Sequence, residues 1–161
     1  MLLIRAFMLL LSLVSTLIYG QQQMPSDIDL KSAYCLTVVQ HRINMAQPFE
    51  GQLDPSSKTG SELIRTQATS RDDVQRLRTY LLSKSQFLDV TALLGAKQRA
   101  EADVVTSNAD GHTCVVSCTG QNDPGPEALT PKVTSCIDRC VMGSGAAARM
   151  RSCVKVDWLP Y

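Results

Sequence analysis

Six cysteines, Cys35, Cys114, Cys118, Cys136, Cys140 and Cys153, are the side chains of this 161-residue sequence with the most chemistry to offer. As thiolates, the two C-x3-C pairs could hold zinc, with His112 as a spare ligand, because structural zinc sites use cysteine spacings of about two to four residues. As a dithiol, one pair could run thiol–disulfide exchange, but that chemistry usually employs C-x-x-C, which does not occur here. Once oxidised, the six would close three bridges with no thiol left over. The redox state of the compartment decides between these uses.

Other chemistry is sparsely equipped. Hydrolysis by a nucleophile and base would have only His41 and His112 to draw on, and no serine sits in a G-x-S-x-G elbow. Gly143-Ser144-Gly145 lacks that spacing and has the form of a helix terminator. His41 is expected at the surface or the edge of a core. Asp89, Glu101 and Asp103 are expected at helix-surface positions, and no two of them can be assigned to a common cleft, as a carboxylate-pair hydrolase would need. Glycine-rich phosphate loops are absent. No catalytic residue, cofactor-binding residue or metal ligand is therefore assigned, and no cofactor is expected.

The compartment is written at the amino terminus. Met1 to Gly20 has the layout of a secretory signal, with Arg5 as positive charge, an apolar run from Ala6 to Tyr19 and a small residue to finish. A cut after Gly20 is expected, although Ile18 stands where a small residue is usual. The apolar run is shorter than the roughly 20 residues of a spanning helix, and no longer one follows, so no membrane span is expected after signal removal. The protein is expected to be secreted, into a periplasm or the extracellular space. Oxidised sulfur is then favoured over zinc.

Charge narrows the partners. The chain carries 16 Lys and Arg against 15 Asp and Glu, and loss of Arg5 with the signal leaves the remainder formally neutral. A nucleic-acid binder would show a clustered basic excess and a membrane-active peptide a cationic amphipathic face, so neither partner is expected. Arg71, Arg76 and Arg78 enclose Asp72 and Asp73, the pattern of a solvated helix face.

Periodicity calls for an all-α fold without a sheet: a disordered tail over 21–25, then one disulfide-linked helical domain over 26–161. Ser26 and Asp29 have capping-box spacing, opening a helix that runs to about Ala46 with Leu30, Tyr34, Val38 and Met45 near one face and Cys35 towards the core. Residues 47–60 read as a loop. Ser70 with Asp73 forms a second capping signal ahead of Val74, Leu77, Leu81 and Leu88, with a short helix over 61–69 leading into it. Gly95 either ends a helix or sits inside one; Ala96 to Thr106 is helical in composition; Asn108, Asp110 and Gly111 signal a break. Residues 119–130, with Pro124, Gly125 and Pro126, form a loop, and Pro131 opens a helix after a Thr130 cap that ends near Gly143 or Gly145. One or two last turns, from Ala146 to Val154, carry Cys153.

Cysteines four apart on one helix have Cβ atoms about 5–6 Å apart, too far for a bridge that needs about 3.5–4.5 Å. Two antiparallel helices would instead set each motif against the other, pairing Cys114 with Cys140 and Cys118 with Cys136, and leaving Cys35 for Cys153. Six cysteines allow about fifteen connectivities, and this one is the expectation.

Over residues 112–140 the paired C-x3-C motifs resemble those of the plant α-hairpinin peptides and of small mitochondrial intermembrane-space chaperones, both stapled helical hairpins; a secretory signal does not suit the latter. Some α-hairpinins inhibit trypsin-like enzymes through a basic residue, and the resemblance nominates Lys132 or Arg139 for that role. The only tryptophan, Trp158, is expected to pack near Cys153, or else to dock a partner. The sequence supports a non-enzymatic interaction or structural module with an unidentified protein partner. A protease inhibitor or defence peptide, or an enzyme with a scattered site, are the alternatives.

Overall fold

A computed structural model describes residues 23–125 and 128–160. The expected export signal and cleavage point lie outside the described residues. Among these residues five α-helices follow one another, α1 (Asp27–Ala46), α2 (Lys58–Lys84), α3 (Val90–Thr119), α4 (Pro131–Gly143) and α5 (Gly145–Met150), with 3-10 turns at Gln47–Gln52 and Arg151–Cys153. No strand or sheet is found among the described residues, so the all-α class holds.

The α1 start is the capping box foreseen: Asp29 N–H donates to Ser26 Oγ, while Ser26 N–H donates to Asp29 Oδ2 at 2.8 Å. Helix α2 runs back along α1, as Arg71 pairs with Glu50, Arg78 Nη2 donates to Gln40 at 2.8 Å, and Tyr80 and Lys84 reach Asp29. Just before α3, the backbone of Gln23 exchanges hydrogen bonds with Phe87 O at 2.7 Å and Asp89 N–H at 3.3 Å. Gln23, within the stretch expected as a disordered tail, is thus tied to the backbone ahead of α3. Asp89 itself caps α3 by accepting from Thr91 N–H.

Two expected breaks do not occur. Ser70 caps nothing: it lies inside α2 and its hydroxyl donates to Thr66 O, i to i−4, while Ser57 is the true cap, accepting from Gly60 N–H. Helix α2 consequently begins within the stretch expected as loop, whose first part is itself a 3-10 turn. Likewise Asn108, Asp110 and Gly111 lie inside α3, and Gly95 does too. A glycine inside a helix costs about 1 kcal/mol relative to alanine. Tertiary packing outweighs it, because the first half of α3 lies against α1 and its second half is bolted to α4 through two cysteines. The helix stops at Gly120, whose φ of 73° is the left-handed cap conformation that glycine adopts without strain.

The core is small and centred on sulfur. Cys35, Val38, Val39, Val74, Leu77, Ala100, Cys153, Val156 and Leu159 form one buried cluster, with Tyr34, Tyr80 and Trp158 packed on it. Cys35 is bonded to Cys153, Cys114 to Cys140 and Cys118 to Cys136, with sequence separations of 118, 26 and 18 residues. The first bridge therefore sits in the middle of the helical core, and the other two staple the α3–α4 hairpin along its length. Met45, expected on the apolar face of α1, is instead 57 % exposed near its carboxyl end.

Candidate functional site

Sulfur offers no open chemistry, since every described cysteine is in a bridge. The zinc set considered from sequence, four hairpin thiolates with His112, would require both hairpin bridges to be reduced. His112 is exposed on α3. Lys132 and Arg139 both lie exposed on α4, Arg139 Nε donating to Ser135 O one turn back. Helical backbone holds them, whereas protease clefts take extended chain.

Besides the Asp29 cluster between α1 and α2, polar side chains converge from α1, α3 and α5 around a cleft of about 610 Å³. Asp103 is its keystone. It faces inward at 8 % exposure instead of standing on the helix surface as expected, and three donors satisfy it. Arg149 Nε and Nη2 approach the carboxylate in a two-pronged fork at 2.8 and 2.5 Å, and Tyr34 Oη donates at 2.7 Å. The forked geometry matches guanidinium to carboxylate and is stronger than a single neutral hydrogen bond. Those Arg149 bonds hold the Asp103 carboxyl below the usual carboxylate range, against the opposing effect of burial, with Tyr34 assisting. Burial first, and then the neighbouring carboxylate, push the Tyr34 phenol above its ordinary value. Asp103 thus stays an anion and Tyr34 a neutral donor, and the three together fix the walls of the cleft.

Two further cations border it. Lys31 on α1 holds its Nζ 4.0 Å from the centroid of the Trp158 ring, a cation–π contact. Arg99, one turn before Asp103 on α3, also lines the cleft. Its i, i+4 relation to Asp103 would ordinarily favour a pair, but Asp103 is turned to Arg149. Composition alone could not have singled out this group. Lys31, Tyr34, Arg99, Asp103 and Arg149 are scattered over more than a hundred residues, and the local signals were two, the i, i+3 spacing of Lys31 and Tyr34 and the i, i+4 spacing of Arg99 and Asp103.

A second groove runs between α1 and α3 beside His41, whose Nε2 is buried with no hydrogen-bond partner. Val104 and Asn108 face it there, and His41 is accordingly a core-edge residue. His112 is not among the groove's residues, so the structure does not bring the two histidines together at this site. Comparison with models of protein families, with curated proteins and with solved structures finds no match to this chain.

Proposed function

We propose that this chain is an exported, non-enzymatic binding module of one domain, acting in a periplasm or the extracellular space after losing the segment up to Gly20. The observation that supports this most directly is the set of three disulfides. Such bridges persist in oxidising compartments and are reduced in the cytosol, so a framework that uses every cysteine fits export. They also make the surface rigid: one bridge joins α1 to the 3-10 turn at Arg151–Cys153, and two hold the α3–α4 hairpin. A rigid surface loses little conformational entropy on binding, which is where a stapled module gains affinity.

Mass spectrometry of natural material tests the export half. The expected product begins at Gln21, is lighter than the reduced chain by about six hydrogens, one pair for each bridge, and takes up no alkylating agent. An intact amino terminus with reduced thiols would refute it. Cross-linking in the native compartment tests the binding half, comparing the oxidised protein with the same protein reduced and alkylated. Here the expected result is a partner or ligand held by the oxidised form alone, and equal retention by both forms would count against a disulfide-shaped surface.

A further inference from the structure

We infer that the cleft between α1, α3 and α5 is a binding site for a small amphipathic anion, with a carboxylate or phosphate-monoester head seated among Lys31, Arg99 and Arg149. Charge segregation is the first ground. The chain as a whole is nearly balanced, with 16 cationic and 15 anionic side chains, yet this cleft gathers three cations around the single carboxylate of Asp103. Arg149 neutralises that carboxylate, so the charges of Lys31 and Arg99 are in excess.

Uncommitted donors are the second ground. Arg149 spends Nε and Nη2 on Asp103, which leaves Nη1. Lys31 is held by an aromatic face and has no carboxylate within ion-pair distance among the described residues. Arg99 likewise makes no ion pair there. Guanidinium forks and an ammonium around one space are the usual protein answer to an oxyanion. Arg149 is also pre-set, because Asp103 and Tyr34 fix its orientation before any ligand arrives.

The remaining lining supplies the apolar half of the ligand's chemistry. Leu30, Ala102 and Ala148 face the same space, and the two alanines keep it open where larger side chains would fill it. Its volume falls within the roughly 300–1,000 Å³ of small-molecule sites. The inference concerns this cleft alone and holds whether or not the chain is exported.

The oxidised protein carries its own reporter, since Trp158 is the only tryptophan and lies under Lys31. Octyl phosphate and octanoate, kept below micelle-forming concentrations, are titrated by calorimetry and by Trp158 emission, with octanol, octyltrimethylammonium and inorganic phosphate in parallel. Saturable binding of the two amphipathic anions is expected, with octanol and the cation inert and inorganic phosphate weaker by about tenfold or more. Lys31→Gln with Arg99→Gln should weaken octyl phosphate at least about tenfold, and Ala148→Phe should do so by filling the cleft with its cations intact. Lys155→Gln, outside the cleft, should change nothing. Absence of saturable binding overturns the inference, as does octanol binding equally well, or octyl phosphate affinity unaltered in folded Lys31→Gln/Arg99→Gln protein. Inorganic phosphate binding as tightly as octyl phosphate would overturn the amphipathic assignment.

Discussion

Replacing Asp29 with asparagine should remove one of the strongest polar anchors of the fold. Asp29 is 3 % exposed and accepts four hydrogen bonds: from Ser26 N–H at 2.8 Å, Ser26 Oγ at 2.6 Å, Tyr80 Oη at 2.8 Å and Lys84 Nζ at 3.2 Å. Burial pushes its carboxyl up, but these donors together outweigh it and bring the pKa from 3.8 down to about 2. A gap of nearly two units corresponds to roughly 2–2.5 kcal/mol of folding stability carried by the ionised group. The sign follows from the depression: the contribution is complete above the unfolded value and fades as pH falls through the folded one. An amide keeps the shape, loses the charge facing Lys84 and sets N–H groups against donors on one side. Asp29→Asn should therefore lose about 2–3 kcal/mol near neutral pH, and the deficit should shrink as the pH falls from about 4 to about 2. Urea unfolding of both proteins across that range, followed by far-ultraviolet circular dichroism, measures it. A neutral-pH difference under about 0.5 kcal/mol, or one that does not change with acid, would refute the reasoning.

The bridges, two glycines and Asp103 give further outcomes, read by the same unfolding assay except where another measurement is named. Removing the core bridge with Cys35→Ala and Cys153→Ala opens a loop of 118 residues, for which chain entropy gives about 4–5 kcal/mol as an upper figure. Removing Cys114–Cys140 alone should cost much less, because Cys118–Cys136 already closes the hairpin inside it, and a larger loss than for the core bridge would contradict that. At Gly60 an added Cβ would lie 2.0 Å from Asp54 O, so Gly60→Ala must displace the turn ahead of α2, and hydrogen exchange should show faster opening of that helix start. Gly120→Ala places a side chain at φ 73° and should cost about 1 kcal/mol, with Gly120→Asn closer to the parent in melting temperature. Asp103→Asn should cost about 1–3 kcal/mol through the lost Arg149 fork, with the deficit diminishing below the ordinary carboxylate range.

Local rules carried the helix starts that are decided by a few neighbouring atoms. Ser26 with Asp29 and Thr130 with Pro131 are such cases, because a cap needs only the residues one turn away. The hairpin pairing was equally legible, since antiparallel helices leave one register for two C-x3-C motifs. Ser70 misled because, with the upstream residues already helical, its hydroxyl donates back to Thr66 O one turn earlier and does not cap the turn towards Asp73. Asn108 to Gly111 misled because weak local propensity was overruled by neighbours fixed elsewhere in the chain.

Residue type and short-range spacing were enough to fix the helical class, the parity and partners of the cysteines and the near balance of charge. The inward turn of Asp103, the reach of Tyr80 and Lys84 to Asp29, and the sharing of one cleft by Lys31, Arg99 and Arg149 came from the packing of helices distant in sequence. Charges act through space and over a few ångströms, so residues remote along the chain become one site only when packing has set the distances between them.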